Sequence, residues 1–173
     1  MPSKYASLLM RLEKRRADRY RITSASDRNR QSGGLYPPAP KSVIVDAEKK
    51  LGFHLPPLLR EIYSELANGG FGPGYGLIGL TGGYTVEDLS ERSLVENYFY
   101  DLSLGDEFLF NGSELDVPWP EQLVEFCYLG CQGTYAVDCS DLAYPVRQTD
   151  FGTLLKPETT FDELMERWAA GNE

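Results

Sequence analysis

Few side chains in this sequence have the type and spacing that chemistry requires. His54 is the single histidine, set between Phe53 and Leu55 and directly before Pro56-Pro57. A nucleophile–histidine–acid arrangement needs a serine or cysteine within hydrogen-bond reach of the ring. No spacing here brings one beside His54, so it reads as a packing or capping residue. A hydrolytic reading would require His54 to lie in a pocket against a nucleophile. Cys127, Cys131 and Cys139 follow one another at x3 and x7 spacings. Structural zinc takes four ligands, usually in short-spaced pairs, and no second C-x2-C or H-x3-H element accompanies them. Cys127 lies in an apolar run, where a free thiol behaves as a small hydrophobe. No metal and no cofactor are expected.

The run Gly74-Tyr75-Gly76-Leu77-Ile78-Gly79 spells G-x-G-x-x-G. A dinucleotide site needs that pattern after a strand and opening a helix, so that the pyrophosphate meets the helix N-terminus. Here a helical stripe precedes the glycines and an apolar, strand-like segment contains them. No Lys-Ser/Thr follows for a phosphate loop, so the match reads as chance. Asp106/Glu107, Glu114/Asp116, Glu121/Glu125 and Asp138/Asp141 are paired carboxylates. Acid–base work would need two of them to converge in a cleft with separated pKa values. Solvated surface is the default reading, and contact with a basic partner is the alternative. Asn111-Gly112-Ser113 is a glycosylation sequon, relevant only to a secreted chain.

The charge balance bears on that partner. The formal net charge is −9, yet residues 1–60 hold thirteen Lys/Arg against five Asp/Glu, a balance of +8. Residues 61–173 hold four against twenty-one, a balance of −17. The acidic part should repel nucleic acid and attract a basic protein. Three cysteines cannot all pair within one chain, which suits a reducing compartment. No signal-peptide h-region and no membrane-length apolar run occurs, so the expected location is the cytoplasm.

The elements that must position these residues follow from periodicity. Tyr5, Leu8, Leu9 and Leu12 predict a helix from about Lys4 to Tyr20, carrying Arg11, Lys14, Arg15, Arg16 and Arg19. That basic face reads as the solvated side of a docked helix, with a nucleic-acid contact the weaker alternative. A polar stretch and Pro37, Pro38 and Pro40 follow, so residues 1–40 read as an arm and linker and 41–173 as one domain. Ser42 is expected to cap a helix over Val43–Leu51 that Gly52 ends. Leu58, Leu59, Ile62, Tyr63 and Leu66 predict a second helix, entered through Pro56-Pro57 and stopped by Asn68-Gly69-Gly70. A strand over Tyr75–Leu80, an imperfect helix over Thr85–Tyr100 and a loop over Asp101–Pro120 come next. Leu123–Leu129 and Thr134–Asp138 form an expected hairpin, with a further strand at Tyr144–Thr149. Thr160-Phe161-Asp162-Glu163 is a capping box that opens a closing helix, Phe161–Ala170. Helices at both ends around a run of strands predict an α+β fold with a largely antiparallel sheet covered by helices.

One long motif is shared with a known family. The run Ile44-x3-Glu48-x2-Leu51-Gly52-Phe53-x-Leu55-Pro56-x2-Leu59-x2-Ile62-Tyr63, ending in Asn68-Gly69-Gly70, resembles the opening signature of the SUKH superfamily. Trp119-Pro120, the turn from Cys127 through Gly130 to Gly133, Val137-Asp138 and the Thr160–Trp168 helix are similar to its later landmarks. The likeness spans about residues 41–170 and leaves the basic arm outside. It implies a SUKH-like α+β fold, no catalytic set and a protein-binding role. Many bacterial members are immunity proteins that neutralise polymorphic toxins, often nucleases, by direct binding. Fungal relatives regulate cell-wall assembly, so a regulatory scaffold is the second expectation. Charge, not the resemblance, nominates Asp106, Glu107, Glu114, Asp116 and Asp141 as contacts for a basic toxin domain.

Overall fold

The computed structural model of the chain describes residues 3–22, 36–104, 119–131, 133–150, 153–155 and 158–172. Its helices are α1 (Ala6–Ile22), α2 (Lys41–Leu51), α3 (Pro57–Glu61), α4 (Leu94–Ser103) and α5 (Phe161–Ala169). A π-helical turn over Ile62–Leu66 prolongs α3, and a short 3-10 turn occupies Glu87–Leu89. The strands are β1 (Leu123–Gly130), β2 (Gly133–Asp138), β3 (Pro145–Asp150), β4 (Thr153–Leu154) and β5 (Thr159–Thr160).

The fold is α+β with an antiparallel sheet, as the pattern of elements predicts. β1, β2 and β3 pair in sequence order. The outer edge of β3 is shared: β4 pairs at Thr149↔Leu154 and β5 at Val146↔Thr159. Alternate strand residues enter two apolar clusters, as a pleated sheet requires. Val124, Phe126, Val137 and Val146 join the large core with Leu12, Leu58, Leu59, Tyr63, Phe161 and Trp168. Leu123 and Ala136 join Trp119 in a smaller one.

Several boundaries differ from the sequence-based expectations, each for a local reason. Ser42 does not cap α2; that helix starts two residues earlier than expected, at Lys41 behind Pro40, whose carbonyl accepts the Val43 N–H at 2.9 Å. Gly52 ends it in the left-handed conformation, φ 82°. The strand expected at Tyr75–Leu80 is reduced to one bridge, Leu77↔Cys127, flanked by Tyr75 N–H to Tyr128 O and Ile78 N–H to Phe126 O. Left-handed Gly74 and Gly76 bend this segment, and Leu77 gives its own N–H to Phe71 and its carbonyl to Gly70. The imperfect helix at Thr85–Tyr100 is two pieces, broken where Ser90 and Glu91 take positive φ. α4 then starts behind a capping box formed by Ser93 and Glu96, and it extends to Ser103 through part of the expected loop. The box predicted for α5 is present, with Thr160 Oγ1 accepting the Glu163 N–H at 3.3 Å.

Candidate functional site

The signature residues converge on the corner between α2, α3 and the Leu77 segment. Glu48 lies on the buried face of α2, one turn before Gly52. Its Oε1 accepts the Leu55 N–H at 2.9 Å and faces Arg60 Nε at 3.2 Å. Its Oε2 lies 3.1 Å from His54 Nδ1. One carboxylate therefore fixes the turn Gly52–Pro56 and ties it to α3, where a backbone N–H would otherwise be buried unpaired.

Asn68 does the same one helix later. Its Oδ1 accepts the Leu80 N–H at 2.8 Å and its Nδ2 donates to Thr81 O at 3.3 Å. Its own backbone joins Pro37 O and the Tyr84 N–H, so the proline stretch expected as linker is anchored here. Gly69 has φ +84°, and a Cβ there would sit 2.5 Å from Leu77 O. Gly70, also left-handed, donates to that same oxygen at 2.9 Å. A Cβ on Gly74, Gly76 or Gly79 would likewise strike backbone at 2.5 to 2.9 Å. The N–H groups of Gly76 and Gly79 are spent on Pro73 and Tyr84 carbonyls. These glycines let backbone approach backbone, and they present no anion cradle.

The remaining landmarks are also structural. Leu55 is buried, and Pro56 stands at the N-cap of α3. Trp119 Nε1 donates to Leu123 O at 2.8 Å, and Pro120 O accepts the Leu123 N–H at 3.0 Å, which together start β1. Gly130, φ 89°, turns the β1–β2 hairpin over the Tyr75 ring. Asp138 Oδ1 accepts both the Ser140 N–H and its hydroxyl, closing a turn. Of the charge-nominated contacts, Asp141 is exposed and holds a turn through the Ala143 N–H at 2.8 Å. Asp106, Glu107, Glu114 and Asp116 lie outside the described residues.

The residues nominated for chemistry are not brought together. His54 is largely exposed, and the polar atom recorded against its ring is the Glu48 carboxylate. Cys127 is buried, its thiol pushed up by burial and donating to Pro73 O at 2.9 Å. Cys139 is pushed up to about 12, by burial first and then by the carboxylates of Asp138 and Glu48. Neither thiol is a ready nucleophile. Cys131 is exposed on the hairpin. Among the described residues, no group of three His, Cys, Asp or Glu side chains could hold a metal.

A second polar centre was not anticipated as a unit. Asn97 Nδ2 donates to Glu125 Oε2 at 2.8 Å and to Asp101 Oδ2 at 3.3 Å, bridging two buried carboxyls. Glu125 Oε1 accepts from Thr134 Oγ1 at 2.6 Å, and Thr134 meets Thr149 Oγ1 at 2.5 Å. Burial raises Asp101 to about 8; nearby Glu125 adds to the rise and Arg92 opposes it. Glu125 is raised as well, by burial, against its bonds to Thr134 and Asn97. Arg92 touches the centre through Asn97 Oδ1 at 3.4 Å while lying over the Tyr100 ring. Burial thus favours a protonated carboxyl in this pair at neutral pH, and the Asn97 amide is the polar link from α4 to β1. The legible signal was Glu125 itself, one charge inside an apolar strand run.

The basic helix α1 lies against α5 and the π-helical turn. Arg11 pairs with Glu166 at 2.7 Å, and the Ser3 hydroxyl with Glu61 at 2.5 Å. The Arg15 and Arg16 guanidinium groups lie 6.0 and 5.7 Å from the Trp168 and Phe71 ring centres. Much of the basic face is therefore engaged in docking α1. No described helix is long and apolar enough to cross a membrane.

Compared with known families, residues 38–167 match the model of the SMI1 / KNR4 family (SUKH-1). No curated protein matches the chain.

Proposed function

This chain belongs to the SMI1/KNR4 (SUKH-1) family, and from that premise we propose that it is a non-catalytic protein-binding module, an immunity protein that blocks a toxin domain by direct contact. The observation that carries the reading is how the family's polar residues are used. Glu48 and Asn68 each hold backbone N–H groups of the chain itself, leaving the signature no side chain aimed at a substrate. The neutral thiols of Cys127 and Cys139 point the same way.

The partner's chemistry follows from charge. The −17 balance beyond residue 60 would steer a basic domain, such as a nuclease that itself binds phosphate backbones. Bound to such a nuclease, the acidic surface would stand in for the polyanion and cover the cationic cleft. Proteins of this kind work in the compartment where the toxin acts, and three free cysteines suit a reducing cytoplasm. A regulatory scaffold related to cell-wall-assembly regulators is the second reading, favoured by the family's fungal members.

Co-expression separates the two. The immunity reading expects a toxin gene beside this one and expects this chain to restore growth of cells producing that toxin, without degrading it. Absence of rescue, together with recovery of several unrelated partners, would favour the scaffold.

A further inference from the structure

We propose that the seat beneath α1 is a docking site for a basic amphipathic helix of a partner protein, with α1 as the resident occupant that such a helix displaces. This rests on the reading of the chain as a protein-binding module and names the surface it would use.

Three observations point there. First, α1 lies outside the family match at 38–167, whereas Glu61, Phe71, Asp162 and Glu166 of the seat lie inside it. Second, the seat is an apolar floor with an acidic rim. Phe71 and Trp168 form the floor, with ring centres 5.8 Å apart, and Leu12 of α1 is fully buried in the same core. Glu61 and Glu166 on the rim meet Ser3 and Arg11, while Asp162 and Glu61 favour the charged form of Lys4 after its hydrogen bond to Tyr5. The complementary ligand is a helix with apolar residues at i, i+3, i+4 and i+7 and cations along one flank.

Third, the packing of α1 on the seat leaves one buried polar group without a hydrogen bond. Trp168 is buried, yet its indole Nε1–H has no hydrogen-bond partner among the described residues. The α1 group lying over that ring is Arg15, whose guanidinium carries donors only. A helix that brings an acceptor within reach of the indole would satisfy it, an advantage α1 lacks. The Arg11–Glu166 pair is nearly half exposed on both sides and adds little to the hold. Residues 23–35 join α1 to the anchored stretch 36–40, so a displaced α1 stays attached and competes at a high effective concentration.

The test uses the full chain and a fluorescein-labelled synthetic peptide of residues 3–22. Leu12→Asp should open the seat, and that variant should bind the peptide saturably and at least tenfold more tightly than the wild type. Reversing the rim with Asp162→Lys and Glu166→Lys should weaken the binding several-fold. A folded Leu12→Asp chain that ignores the peptide, or binds it no better than the wild type, overturns the proposal. Should that variant fail to fold, hydrogen exchange on the wild type decides: α1 amides exchanging faster than those of α2 and α5 support a separable occupant, and exchange only with global unfolding overturns it. A wild-type dimer with exchanged α1 overturns it in favour of a second copy. The peptide assay needs no toxin, so a chain that neutralises a toxin while its seat never opens refutes the seat alone.

Discussion

Glu48 and Glu125 are both carboxylates nearly sealed from solvent, and their surroundings compensate for burial in opposite ways. Glu48 meets a backbone N–H, an imidazole and the Arg60 guanidinium, so charge is balanced by charge and the chain is pinned. Glu125 meets an amide and a hydroxyl, with Asp101 beside the same amide. There a proton does the balancing. The difference teaches that the corner is a backbone-pairing problem solved by specific residues, whereas the second centre is a titration problem that a conservative substitution can relieve.

The largest effect should come from breaking the corner. Gly69→Val forces a side chain into φ +84° and against Leu77 O, and should cost about 4 kcal/mol or more, read as loss of the cooperative thermal transition. Glu48→Ala leaves the Leu55 N–H unpaired and Arg60 without its partner. It should lower stability by about 2 kcal/mol in urea unfolding.

The second centre should respond to pH. Burial raises Asp101 to about 8 in the folded state, above the ordinary carboxylate value of the unfolded chain. The folded state thus binds the extra proton, so its stability falls as pH rises from about 4 to 8 and levels off above that. Asp101→Asn should flatten this slope, with a melting-temperature gain over wild type that grows between pH 5 and pH 8. An equal shift at every pH would make the pair merely a packing feature. The smallest effect belongs to the helix that carries Asp101: Ser93→Ala removes the α4 cap and should cost about 1 kcal/mol by the same unfolding measurement.

What the sequence disclosed divides along the same line. The corner was legible because proline, glycine and asparagine act within a few residues of where they stand, and so was the Thr160 capping box. The Ser93-x-x-Glu96 box carried the same signal, but Val86, Leu89 and Leu94 suggested one stripe across a break that only Ser90 and Glu91 mark. The Tyr75–Leu80 segment has a strand's apolarity, yet its glycines serve tertiary approaches that no local pattern contains. Asn97, Asp101 and Glu125 meet only once α4 lies on β1, so their raised carboxyls depend on contacts between residues up to 28 apart. The charge of α1 was visible, and its use was not: guanidinium groups over Trp168 and Phe71 require a folded α5 and corner. Among the contacts nominated by charge, Asp141 is placed on an exposed turn.

Binding itself is the claim to measure. The purified chain and a basic toxin domain, such as one that a neighbouring gene proves to encode, can be followed by surface plasmon resonance across ionic strength. The account predicts a stoichiometric complex whose association rate falls steeply with salt while its dissociation rate changes little. No complex at micromolar concentration, or an association rate indifferent to salt, would contradict it.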